Sequence, residues 1–498
     1  MRTILFTLFF LASFAAALSR AQTPSGSLRG VVADAQGARI AAATIAVHLN
    51  ASPLERVVRA DDEGNFRLDD LRPGTYMVRV FAHGFADAVA DVVIQVSSVR
   101  DIAVTMQPSG VQQTVAVHAQ SSSIATQPID LTSQVHQSIV SAQDLEGLPL
   151  PARSFANVAY LAPGTEPVEP SDPTKARITA VSTGGSSGLN NELSVDGGDN
   201  SDDYIGGFLQ NFSSDSIQEF AVRTSQEDAD TGGTTAGSVL LTTKSGSNDW
   251  HGDAAFYERA AALNARFPIE NPAPNPKEPF SRQNYATTIG GPVVKDKLWF
   301  FTAFEAVHED SSIAYGPAII TNFDSLAMLA ADGLIPGVSS ITVPATVPIP
   351  FRDFFASQRL DWAQSSKSQW YLRGSADTYT THNDLVQQGT LPSTGLLTHN
   401  NYFCLVAANE YAFTPTLLGR FLFNASGLHL TQTRNSSLGF ALASPSVPHL
   451  SRYPALKPSA TTSSQRPSPF FPPSATRKST SYVMILLMST AAMPSDSA

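Results

Sequence analysis

A mainly β protein with three parts in series is predicted by this 498-residue sequence. Three observations carry the prediction. Between residues 190 and 310, short β-type runs alternate with Gly/Asn/Asp/Ser turns, and no helical period of any length intervenes. Charged residues make up only 15%, against about 25% in ordinary soluble domains, while 32 Gly and 33 Pro favour turns over long helices. From Trp250 onward, strands of ~10 residues come as hairpins with tight turns at one end and long connections at the other, the pattern of an outer-membrane barrel.

The bulk numbers exclude some functions. A formal net charge of −11 and a pI near 5.4 argue against a nucleic-acid surface. Cys404 stands alone, so neither a disulfide within the chain nor a multi-cysteine metal site is expected. At the N-terminus, Arg2 precedes an apolar run over residues 4–18, and Ser19-Arg20-Ala21 offers small residues where a signal peptidase reads. Residues 1–21 are therefore expected as a signal peptide. The alternative, a membrane anchor, meets a run shorter than the ~20 residues a spanning helix needs. With no other run approaching that length, residence in a membrane would have to be as a β-barrel.

Residues 22–108 read as a β-sandwich. Alternating runs at 27–32 and 43–49 are separated by the turn Asp34-Ala35-Gln36-Gly37. Asp61-Asp62-Glu63-Gly64-Asn65 leads into Phe66-Arg67-Leu68, and Leu71-Arg72-Pro73-Gly74 into Met77-Val78-Arg79-Val80. This order of turns and strands resembles the carboxypeptidase regulatory-like domain. Only the accessory sandwich of that family is matched, and no His-x-x-Glu follows, so zinc peptidase chemistry does not carry over. A structural module without ligand and a carbohydrate-contacting module both remain open.

Residues 109–132 form a polar linker enclosing Thr114, Val115, Ala116, Val117, His118 and Ala119, a short alternating run. Such a run can add to the edge of a partner's sheet; alternatively it is the last strand of the sandwich. Residues 133–245 follow as a compact unit. A short helix is expected over 154–161, ended by Pro163-Gly164, and strands over 193–196, 217–223 and 238–243. Asp196, Asp199, Asp202 and Asp203 are expected as solvated turn carboxylates, since their spacing is that of no known calcium loop. The Gly-rich stretch at 232–237 lacks a Gly-Lys-Ser/Thr end and is not a nucleotide loop.

Residues 246–440 carry three hairpins, 283–294 with 298–308, 353–363 with 369–378, and 400–413 with 417–430. Trp250, Tyr257, Trp299, Phe300, Trp362, Trp370, Tyr371 and Tyr402 are placed as interfacial girdles. After about Phe440 the pattern fails. Residues 444–481 are dense in Ser, Pro and Thr, and residues 441–498 are expected as a disordered or out-of-frame tail.

Several segments in order resemble one family: the run from Asn191 through Val195-Asp196-Gly197-Gly198 to Asn200, then Asp215-Ser216-Ile217-Gln218-Glu219-Phe220, Thr242-Thr243-Lys244-Ser245-Gly246, and Gly290-Gly291-Pro292 through Trp299-Phe300-Phe301. They resemble the plug and first barrel strands of TonB-dependent outer-membrane receptors, in particular the Oar-like branch. The resemblance implies an N-terminal β-sandwich, a plug domain over 133–245 and an incomplete antiparallel transmembrane β-barrel over 246–440. Plugged transporters use about 22 strands, and residues 246–440 supply about eight to ten. A C-terminally truncated receptor is expected.

The resemblance further implies uptake of a nutrient ligand across the cell outer membrane of a Gram-negative type of cell. A TonB-type energy-coupling protein would contact Thr114, Val115, Ala116, Val117, His118 and Ala119. The other expected partners are outer-membrane lipid and an unknown extracellular ligand, a carbohydrate being one candidate. The competing reading is a non-transporting, carbohydrate-binding or adhesive surface protein. No His/Asp/Ser or metal-ligand constellation supports a hydrolase, so no catalytic residue, cofactor or metal is assigned. Export predicts a mature protein beginning at Gln22; N-terminal sequencing of the exported protein checks it, and a chain still beginning at Met1 contradicts it.

Overall fold

The computed structural model describes residues 25–49, 55–96, 98–109, 123–126, 136–147, 155–168, 180–202, 207–225, 234–265, 279–314, 324–325, 327–334, 340, 346–384, 395–414, 417–434 and 474–490. The N-terminal unit contains β1 (Gly26–Asp34), β2 (Thr44–Leu49), β3 (Glu55–Arg59), β4 (Asn65–Leu71), β5 (Gly74–Phe81), β6 (Ala88–Ile94), β7 (Val99–Met106) and β8 (Ser123–Thr126). They form two four-stranded sheets, β4-β1-β7-β8 and β3-β2-β5-β6. β1 lies parallel to β7, from Ser27 beside Val99 to Asp34 beside Met106; the other neighbours are antiparallel.

Period-two alternation makes these runs strands. Buried side chains of β1 alternate with half-buried ones, and those of β5 with exposed ones. Leu28, Val32, Ile45, Val78, Val80 and Val104 thereby meet in one core, each contributing about 1.5–3 kcal/mol of transfer free energy. The turn into β4 is fixed by the Asp61 carboxylate, which accepts the Glu63 and Asn65 amides at 3.0 and 2.7 Å. Gly64 completes it at φ +76°, where a Cβ would lie 2.6 Å from the Val32 carbonyl oxygen.

The middle unit contains β9 (His136–Ser141), α1 (Ala142–Gly147), a 3-10 helix (Phe155–Leu161), β10 (Thr165–Val168), β11 (Ala180–Thr183), β12 (Asn191–Val195), β13 (Gly198–Asp199), β14 (Ile217–Ser225) and β15 (Gly237–Thr243). Its main sheet has the order β13-β12-β15-β14-β9, with β12 and β15 parallel. Ser141 and Asp144 cap α1 reciprocally: the Ser141 amide and hydroxyl donate to the Asp144 carboxylate at 3.0 and 2.7 Å. Phe155 inserts from the 3-10 helix into the core, edge-on to Phe208 at 4.5 Å. Gly164, at φ +81°, follows that helix.

The third unit is an antiparallel sheet of β16 (His251–Ala260), β17 (Phe280–Val294), β18 (Leu298–Ala314), β19 (Thr346–Pro348), β20 (Phe351–Ser365), β21 (Ser368–Asp384), β22 (Leu396–Thr414), β23 (Leu417–Arg434) and β24 (Ser474–Thr490). Each strand pairs with the next in sequence, except that β19 lies against the end of β18 and β20 takes the place beside β18. β16 and β24 are not paired with one another among the described residues, so the sheet stays open. The strands of the three expected hairpins run 15–19 residues, beyond their expected ends. About ten tilted residues cross the hydrocarbon, so the rest extends past it.

The tail departs from expectation in one stretch. Ser474–Thr490 do enter a sheet, pairing with β23 from Leu417 beside Thr490 to Thr433 beside Ser474. The prolines that bar a sheet end at Pro472-Pro473, and the following stretch contains the apolar run Tyr482-Val483-Met484-Ile485-Leu486-Leu487-Met488. Residues 444–481 were one block by composition, but the ladder discriminates by proline position.

Because the sandwich closes its own core, residues 22–107 expressed alone are expected to give a β-type circular dichroism spectrum and one cooperative melt. A disordered spectrum would contradict a self-contained unit.

Candidate functional site

The two faces of the third sheet are opposite in character. On one, Ile289, Phe354, Leu372 and Phe403 are exposed. On the other, Arg359, Asp361, Arg373, Asp377, Asn400 and Asn424 are buried. An apolar outside and a polar inside invert a soluble sheet and match a barrel wall in lipid. Of the residues expected as girdles, Trp250 and Trp362 are exposed, but Trp299, Tyr371 and Tyr402 are buried. Alternation decides this: Tyr371 shares its face with Arg373, and Tyr402 with Cys404 and Asn400.

Against this polar face sits the middle unit, anchored at the turn Asp196-Gly197. Two residues join paired Val195 and Gly198, with φ of +50° and +79°, the conformation that favours Asp-Gly in tight hairpins. The turn drives the Asp196 carboxylate into the barrel wall. There it pairs with Arg359 at 3.2 Å and Arg373 at 2.9 Å. The Thr243 amide and hydroxyl donate to it at 2.9 and 2.8 Å. Arg373 Nη2 also donates to the Val195 carbonyl at 3.1 Å, and the Tyr371 hydroxyl to the Asp196 carbonyl. Arg359 is oriented in turn by Asp361 at 2.9 Å. Such a buried carboxylate is viable only because its charge and lone pairs are met.

The acidic-cluster expectation is thereby corrected. Asp196 and Asp202 are each only 3% exposed rather than solvated. Asp199 accepts the Ser201 amide at 2.8 Å, and Asp203 lies outside the described residues. Sequence reasoning missed the partners. Their signal was present: charged residues an even number of positions apart, Arg359 with Asp361 and Arg373 with Asp377, so that each pair shares one face of its strand.

A second seat lies at the loop before β14. The Asn211 amide donates to Asp377 at 3.2 Å and its side chain to Asp353 at 3.4 Å, while Ser375 donates to Gln210 at 2.9 Å. Phe212 packs on Phe355 at 5.3 Å, which joins the middle core to the barrel wall. Gly198 approaches so closely that a Cβ would meet Val406 at 2.6 Å and Asn424 at 3.2 Å.

Thr114 to Ala119 lie outside the described residues. The chain on either side is placed: the Ser109 amide donates to the Gly84 carbonyl at 2.9 Å, and β8 pairs with β7.

Asp196→Ala is expected to strand Arg373, 1% exposed, and to cost about 3–5 kcal/mol. Denaturant unfolding followed by protease sensitivity of residues 133–245 measures it. A loss within about 0.5 kcal/mol would mean that the pair does not hold the unit in place.

Residues 27–107 match the carboxypeptidase regulatory-like domain family, and residues 242–346 match the outer membrane beta barrel domain family. The TonB-dependent transporter Oar of Myxococcus xanthus is 29% identical over 297 residues, covering 57% of this chain and 27% of Oar. Among solved structures, the outer membrane transporter YddB from Escherichia coli aligns with TM-score 0.45 at 10% identity, covering 60% of this chain and 40% of its own. The siderophore receptor PirA from Acinetobacter baumannii aligns with TM-score 0.41 at 13% identity, with the same coverage of 60% and 40%. The chain thus spans about a quarter of the length of the curated relative it matches. A regulatory-like sandwich ahead of an outer-membrane sheet, in a chain 29% identical to Oar over 297 residues, makes this chain similar to the TonB-dependent transporter Oar in both sequence and domain order.

Proposed function

We propose that the chain serves TonB-dependent uptake of an extracellular nutrient ligand, with the middle unit as the plug of the pore. The observation that carries this reading is the Asp196 anchor. A plug must sit firmly and yet leave. Beside the apolar contact of Phe212 on Phe355, its contacts with Arg359, Arg373, Asp353 and Asp377 are polar and charged, so water can replace them one by one as the plug moves.

Thr114, Val115, Ala116, Val117, His118 and Ala119 recruit the TonB-type energy-coupling protein. Val115 and Val117 occupy alternate positions, so one face of an added strand is apolar while its main chain supplies the hydrogen bonds. The ligand enters from the side of the long connections, a siderophore or a carbohydrate being the classes to try. Residues 1–21 direct export and are then removed.

Val117→Pro removes a ladder donor and fixes φ, so it is expected to weaken binding of a TonB periplasmic domain more than Val117→Ala does. Calorimetry on the full chain reads the difference. Equal affinities would refute strand addition at this segment.

A further inference from the structure

The sandwich is fastened to the other two units at separate points. The loop between β6 and β7 presents Val96, fully buried against Ile139 of β9, Ala221 of β14 and Leu240 of β15. The Val96 amide donates to the Glu219 carboxylate of β14 at 2.6 Å. Burial pushes that carboxyl up to about 7, against the opposing pull of the Val96 amide. One loop therefore grips three adjacent plug strands, the edge strand among them.

From the turn between β4 and β5, Arg72 reaches the barrel wall. It pairs with Glu410 at 3.0 Å and Asp361 at 3.5 Å, and stacks over Tyr371 at 5.0 Å. Both acids already hold a cation from the barrel, Arg359 on Asp361 at 2.9 Å and Arg420 on Glu410 at 3.7 Å. Arg72 is thus a third cation, brought in by the sandwich and dispensable to the wall itself.

The order of attachments along the chain gives these contacts a consequence. Upstream of Thr114–Ala119, Ser109 is bonded to Gly84 in the sandwich. Downstream, β8 pairs with β7, again in the sandwich, from Thr105 beside Ser123 to Ile102 beside Thr126. Only after β8 does the chain reach β9, the edge of the plug sheet. A pull on residues 114–119 is therefore borne by the sandwich from both sides before any reaches the plug.

We propose that the N-terminal sandwich is a clamp: docked through Val96 and Arg72 it pins the plug sheet to the barrel wall, and the pull of the energy-coupling partner undocks it before the plug can yield. This rests on the plug reading above and on recruitment at residues 114–119.

The test is single-molecule pulling on the full chain held in lipid nanodiscs, with the handle at His118, comparing the native sequence with Arg72→Met plus Val96→Asp. Arg72→Met alone serves if the double variant does not fold, because Asp361 and Glu410 keep their barrel partners. The clamp predicts a first extension event that precedes any loss of plug strands, with a rupture rate at fixed force raised about tenfold or more in the variant, as expected for losing a charge-assisted contact. A first event unchanged by the substitutions, or a first event in which β9 leaves with the sandwich still docked, would overturn it. Binding of a TonB periplasmic domain, measured separately, reports on the plug and recruitment reading, so the two can fail independently.

Discussion

The structure depends on one buried ion network, the Asp196 carboxylate held between Arg359 and Arg373. Buried by the seated plug, an unpaired charge costs several kcal/mol, so Asp196 and Arg373 are tolerated there only while paired, whereas Arg359 keeps Asp361 within the wall. The plug brings the anion on a hairpin turn with positive φ at two successive residues, and the wall brings the cations from adjacent strands. The network thus specifies position as much as it stabilises, because Arg359 and Arg373 lie directly opposite one another in the β20–β21 ladder and the anion meets both only at that one place.

Lipid imposes the complementary constraint. Backbone groups find no water in the hydrocarbon, so the wall must be a ladder, and the ladder's period of two sends alternate side chains to opposite faces. Polar residues have only the lumen to face, and that concentrates Asp353, Asp361, Asp377 and Glu410 where the plug and the sandwich meet the wall. The same alternation turned Trp299, Tyr371 and Tyr402 inward. There Tyr371 is used twice, donating to the Asp196 carbonyl and lying beneath the Arg359 and Arg72 guanidinium groups.

Local patterns were legible in the sequence, and long-range pairings were not. The tight turn at 295–297 and the sandwich turns at 61–65 and 71–74 follow from side-chain and φ requirements of a few adjacent residues. The burial of Asp196 could not be read locally, because its partners lie 163 and 177 residues away and an Asp-Gly turn ordinarily sits in water. The strand at Ser474–Thr490 was obscured for another reason: a compositional window averaged it with the proline-dense stretch before it. The clamp contact of Arg72 resembled nothing in sequence beyond an ordinary turn arginine.

The central claim is that the plug is seated by charge pairing with the wall rather than by general packing. A double-mutant cycle on Asp196→Asn and Arg373→Met, read by denaturant unfolding of the plug in the full chain, measures this most directly. The account predicts a coupling energy of about 1.5–3 kcal/mol, with the double variant far less damaged than the two single variants combined. Additive losses, with coupling within about 0.5 kcal/mol of zero, would contradict it.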